Sequence, residues 1–150
     1  MGRVTAEVEV AALASAAEEL WYDTSRWPTF VDGLAHVAKV DGEWPRTGRV
    51  VWDAKPDSRG RVVERVTTHE TRAGQTVAVE DEKITGTQRV QFIPTERGCR
   101  VRLTLEYVIK QRRPLMPVVD VLFVRRPMTD SLKRTLTRFR RELETGDRIL

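Results

Sequence analysis

The stretch MPVVDVLFVRRPMTDSLKRTLTRFRRELE, residues 116–144, decides how the rest of the chain is read. Its apolar residues Val121, Val124, Met128, Leu132, Leu136, Phe139 and Leu143 recur at steps of three or four, the period of one helix face. The opposite side carries Arg125, Arg126, Lys133, Arg134, Arg138, Arg140, Arg141 and Glu142. A helix this long with one apolar stripe has to bury that stripe against another layer. Pro127 falls inside the pattern, where it either kinks the helix or starts its second half.

The partner layer lies upstream. In CRVRLTLEYVIK, residues 99–110, Val101, Leu103, Leu105, Tyr107 and Ile109 face one way, and Arg100, Arg102, Thr104, Glu106 and Lys110 face the other. This alternation predicts a half-buried strand. Further strands are predicted over 34–40, 48–54, 61–70, 75–84 and 87–94. Turn residues punctuate them at Asp41-Gly42, 55–60, Arg72-Ala73-Gly74, Thr85-Gly86 and Glu96-Arg97-Gly98. Residues 4–10 alternate as an opening strand, and 11–21, rich in Ala, Glu and Leu, read as a helix. Asp23 or Ser25 can cap a second, short helix through Trp27 and Phe30, ended by Asp32-Gly33. Connections this short favour antiparallel pairing, because a parallel crossover needs about a dozen residues. The prediction is an α+β fold with helices on one side of a curved antiparallel sheet.

Bulk properties narrow the function classes. The 150 residues fit one domain, with 40% hydrophobic and 32% charged residues. The net charge of +4 comes mostly from arginine, but no duplex-reading motif accompanies it, so nucleic acid is not an expected partner. The arginine-rich face of the last helix leaves open a weak contact with an anionic membrane surface. Without an apolar signal core near the first residues, the cytoplasm is the default location. The single Cys99 excludes an intramolecular disulfide and cysteine-rich zinc sites. His36 and His69 lie on separate predicted strands without metal-binding spacing, so no metal is expected. No glycine-rich loop precedes a helix, and no serine sits in a nucleophile elbow, so no cofactor or nucleophile is predicted.

Four stretches carry a family resemblance: the opening strand with its helix ending in Leu20-Trp21, then 23–30 (DTSRWPTF), then 62–67 (VVERVT), then 98–106 (GCRVRLTLE). Together they resemble the START-like, polyketide cyclase/dehydrase superfamily over nearly the whole chain. The resemblance implies a helix-grip fold: a curved seven-stranded antiparallel sheet, two short N-terminal helices and a long C-terminal helix enclosing a cavity, in a single domain over 1–150. That family includes cyclases, aromatases and lipid carriers, so it specifies the fold more closely than the activity.

Strand parity names the residues facing such a cavity. Val77 and Val79 bring Asp81 with them; Val62 and Val66 bracket Glu64; Val50, Trp52 and Ala54 share a face, as do Val90 and Phe92. Glu64 and Asp81 are thereby placed among apolar neighbours, where a carboxyl either pairs with a base or keeps its proton. With Tyr107 they are the candidates for acid–base work. The competing reading has both acids reach water near strand ends or pair with Arg65 or Arg89. Trp27, Phe30 and Trp52 are candidates for the cavity mouth. Val79, Phe92, Leu103, Leu105 and Tyr107 are candidates for its floor, and Met128, Leu132 and Leu136 for its helix wall. Each of these is equally a plain core residue by type. The expected function is binding or transport of a hydrophobic small molecule of lipid, polyketide or isoprenoid type. The alternative is a cyclase, aromatase or dehydratase using those acid–base groups.

Overall fold

The alternation of apolar and polar residues builds one open, curved antiparallel sheet. The computed structural model describes residues 2–56, 58–110 and 124–149, with side chains described as far as residue 145. The strands are β1 (Gly2–Val10), β2 (Leu34–Asp41), β3 (Arg49–Ala54), β4 (Arg61–Glu70), β5 (Gly74–Glu80), β6 (Ile84–Thr95) and β7 (Gly98–Ile109). Their order is β1-β7-β6-β5-β4-β3-β2, antiparallel throughout. After β1 come α1 (Ala14–Tyr22), a 3₁₀ turn (Thr24–Arg26) and α2 (Trp27–Phe30); α3 (Arg126–Ile149) closes the chain. The seven strands and the long closing helix are those predicted. The connector at 112–117 and the stripe residue Val121 lie outside the described residues.

Each face of the sheet has its own logic. The inward residues Val101, Leu103, Leu105 and Tyr107 of β7 are buried. On the other face, β1 and β7 are laced by the register pairs Glu9–Arg100 (2.8 Å) and Glu7–Arg102 (3.0 Å). Opposite charges directly across an antiparallel pair hold that register. Helix α3 lies along β1 and over α2 and α1. Pro127 falls in its first turn, where a missing amide costs least.

Some boundaries differ from the prediction. Helix α1 begins at Ala14 rather than at 11, because the Ala11 amide donates to Glu144 on α3 (3.3 Å) and Leu13 stays extended as the cap. Of the two candidate caps, Asp23 does the work, accepting from the Ser25 amide at 3.1 Å. The turn expected at Thr85-Gly86 falls instead at 81–83, so the strand predicted over 75–84 ends at Glu80. Asp81 closes that turn, its Oδ1 accepting from the Lys83 and Ile84 amides at 2.8 and 2.9 Å. Gly86 sits inside β6 and pairs with Tyr107; a Cβ there would collide with the Glu106 carbonyl oxygen. Its missing side chain permits close strand approach rather than a reversal.

Candidate functional site

The sheet brings Trp52 and Glu64 together. Val50 is opposite Glu64 and Trp52 is opposite Val62, so the two side chains are diagonal neighbours on the inward face. Trp52 Nε1 donates to Glu64 Oε2 at 2.7 Å. Both are buried. Burial pushes the Glu64 carboxyl above its ordinary value of 4.5, and the Trp52 hydrogen bond and the Arg59 charge only partly oppose that. Glu64 therefore holds its proton more firmly than an exposed glutamate.

Arg59 comes from the connection between β3 and β4. Its guanidinium stands over the Trp52 ring, 5.4 Å from the centroid. Its Nε donates to Asp81 Oδ2 at 2.7 Å. Asp81 is thus committed twice, to its own turn and to Arg59, so its partner is neither of the arginines considered from sequence. Arg59 Nη2, in contrast, is buried without a hydrogen-bond partner among the described residues. A buried donor left in that state costs about 1–3 kcal/mol.

A second polar group fixes the helix over this region. Asp32, just after α2, accepts from Ser131 Oγ (2.8 Å), Arg134 (3.0 and 3.1 Å) and Arg138 (3.1 Å) on α3. Its amide donates to Thr135 Oγ1 at 2.9 Å. Burial raises the Asp32 carboxyl, but the Arg134 and Ser131 hydrogen bonds and the arginine charges outweigh it, leaving the group below the usual carboxylate range. Arg140 meets Glu144, and Arg26 meets Glu142. Much of the arginine-rich face is therefore spent on intramolecular pairs.

Two cavities meet at these residues. The inner one is about 40 Å³ and is walled by Trp27, Trp52, Glu64, Gln88, Leu103 and Leu132, among others. The outer cleft, about 210 Å³, lies between the start of α3, the β3–β4 connection and the 81–83 turn. They share Asp32, Arg59, Met128 and Ser131 as walls.

Of the candidates named from sequence, Glu64, Trp27, Trp52, Leu103, Met128 and Leu132 line the inner cavity; Asp81 and again Met128 line the outer cleft. Phe30, Val79, Phe92, Leu105, Tyr107 and Leu136 are buried in the core and line neither of these two. Phe30 packs between Trp21 and Phe139 (centroids 5.7 and 5.3 Å). Tyr107 lies against Gly2 of the neighbouring strand, where no side chain competes for the space. Sequence reasoning missed Asp32, Arg59, Gln88, Ser131 and Thr135. Gln88 shares the parity of Val90 and Phe92, and Ser131 and Thr135 flank the helix stripe, so a signal was there. Asp32 and Arg59 belong to connections whose placement depends on tertiary contacts.

A family model described as polyketide cyclase / dehydrase and lipid transport matches residues 1–144, and the chain belongs to that family. Solved structures share the fold at low identity. TTHA0849 from Thermus thermophilus is 18% identical with a TM-score of 0.81, covering 97% of this chain and 99% of its own. A START superfamily protein from Mycobacterium smegmatis is 13% identical with a TM-score of 0.75, covering 95% and 97%. The di-domain ARO/CYC StfQ of the steffimycin biosynthetic pathway is 15% identical with a TM-score of 0.73, covering 97% of this chain and 51% of StfQ. No curated protein sequence matches the chain. No helix among the described residues is long and apolar enough to cross a membrane.

Proposed function

We propose that residues 1–150 form a single helix-grip unit that binds a small, largely hydrophobic molecule between the sheet and the start of α3. The observation carrying this reading is the pair of adjoining cavities, the inner one walled largely by apolar and aromatic side chains and the outer one by convergent polar groups with Ile84, Val124 and Met128 among them. Trp27, Trp52, Leu103, Met128 and Leu132 supply the apolar wall; Arg59 and Glu64 supply the polar end. Their modest volumes favour a compact ring system or short isoprenoid over a long lipid chain. Organic extraction of the purified protein followed by mass spectrometry tests this directly. A co-purifying hydrophobic metabolite of stoichiometric amount supports it. Empty protein that also ignores a panel of aromatic polyketides, short isoprenoids and fatty acids in titration counts against it.

One feature favours a second reading, an enzyme of cyclase, aromatase or dehydratase type. Glu64 is a buried acid whose carboxyl is raised above its ordinary value by burial, and it lines the inner cavity beside Trp52. Such a group can protonate a carbonyl or hydroxyl leaving group while the pocket holds the substrate folded. Asp81, tied to Arg59 and its turn, serves in this reading to position Arg59 rather than to move protons. Turnover that vanishes in Glu64→Gln while ligand binding persists would establish the enzyme; unchanged turnover would remove Glu64 from it.

A further inference from the structure

The outer cleft carries a charge pattern that specifies more than hydrophobicity. Its ionisable walls are Asp32, Arg59, Asp81, Lys83 and Arg134. Both acids are already spent. Asp32 accepts from Ser131, Arg134 and Arg138, and Asp81 accepts from Arg59 and from two backbone amides. The cations are not matched. Asp32 faces two arginines, the Lys83 ammonium has no ion-pair partner among the described residues, and Arg59 Nη2 is a buried donor without a hydrogen-bond partner among them. The cleft thus has spare donors and an excess of positive charge, while both of its carboxylates are already engaged. A donor-rich wall of this kind, one of whose donors is buried, is suited to a carboxylate, since guanidinium–carboxylate hydrogen bonds are charge-assisted and directional.

We propose that the outer cleft takes the carboxylate of a compact organic acid, with Arg59 Nη2 and Lys83 meeting the anion and Trp52, Met128 and Leu132 receiving its apolar end. The inference rests on the small-molecule reading above and adds the chemical class of the ligand. Arg59 is suited to the role because Asp81 and the Trp52 ring hold its guanidinium in place before any ligand arrives, so little ordering entropy remains to be lost. Met128, on the walls of both cavities, is an unbranched, adaptable side chain that can adjust to a ligand reaching from one to the other.

Calorimetric titration of the full chain with phenylacetate, its neutral isostere phenylacetamide and the cation phenethylammonium separates the possibilities. The acid is expected to bind at least about tenfold more tightly than the amide, and the cation least well. In Arg59→Gln the preference for the acid over the amide collapses; Arg59→Lys, which keeps a charge facing Asp81, retains part of it. Lys83→Gln loses only a few-fold for the acid, because the ammonium is solvent-exposed. The wild-type comparison needs no variant to fold. If amide and acid bind alike in the wild type, or Arg59→Gln weakens both equally, the carboxylate assignment is overturned and the small-molecule reading stands. If none of the three binds, the assignment falls and the small-molecule reading loses its compact ligands as well.

Discussion

Phe139 and Met128 lie on the same stripe of α3, yet they meet different surroundings. Around Phe139 the stripe is seated among rings: Trp21 lies 5.4 Å and Phe30 5.3 Å away, both near-perpendicular, and Leu136 is buried beside them. Met128 instead lines a cavity whose other walls include two arginines, a lysine and two carboxylates. One helix face therefore does two jobs. Its later turns anchor it by close packing, and its earlier turns roof a space and are held by ion pairs to Asp32. Packing fills volume completely, whereas a roof pinned at its polar flank leaves room beneath.

The largest effect expected from this contrast is at the anchor. Phe139→Ala should destabilise the protein by about 3–5 kcal/mol in chemical denaturation, the range for removing a fully buried aromatic side chain. A loss below about 1 kcal/mol would mean the aromatic end is not the anchor.

Next comes the pin. Asp32→Asn should cost about 1–2 kcal/mol at neutral pH, because Ser131, Arg134 and Arg138 lose a shared charged acceptor that is only partly screened. The sign of the pH effect follows from the depressed carboxyl. The stabilisation is fully present above its unfolded value of 3.8 and is lost as pH falls through the lower folded value. Wild type and Asp32→Asn should therefore converge in stability in acid. Parallel acid-unfolding curves would show that the pin contributes nothing.

Glu64 behaves in the opposite sense. Its carboxyl is raised in the folded protein, so its contribution is greatest below the unfolded value of 4.5 and falls as pH climbs towards the folded value. Glu64→Gln, which keeps a partner for Trp52, should flatten that decline and be more stable than the wild type at pH 7 by denaturant titration. A marked loss of stability at pH 7 would show that the ionised carboxylate is what the fold requires. The smallest effect is expected at the roof: Met128→Leu conserves volume and should change stability by less than about 1 kcal/mol while altering ligand affinity. An unaltered affinity would take Met128 out of the ligand wall.

The anchor was more legible in the sequence than the roof, for a physical reason. Periodicity reports which face of an element is buried, and Leu136, Phe139 and Leu143 are buried as their stripe implied, like the inward residues of β7. It also brought Glu64 and Trp52 to one face. It misassigned Thr85-Gly86, because glycine marks close backbone approach as well as turns, and here Gly86 lies against β7. Asp81 was expected inside through strand parity and is inside, but a turn rather than a strand puts it there. Asp32 and Arg59 stand out in the sequence only as punctuation between elements. Their roles rest on contacts with α3, Trp52 and Asp81 that no local pattern encodes.

The central claim is that ligand binding belongs to the roofed end of the grip and not to its aromatic end. Amide chemical-shift mapping during titration with a compact hydrophobic acid tests this most directly. The account predicts perturbations gathered at Asp32, Gly33, Ser58, Arg59, Lys83, Met128 and Ser131, with Phe30, Phe139 and Leu143 unmoved. Perturbations centred on Phe30 and Phe139, or spread over the charged outer face of β1 and β7, would contradict it.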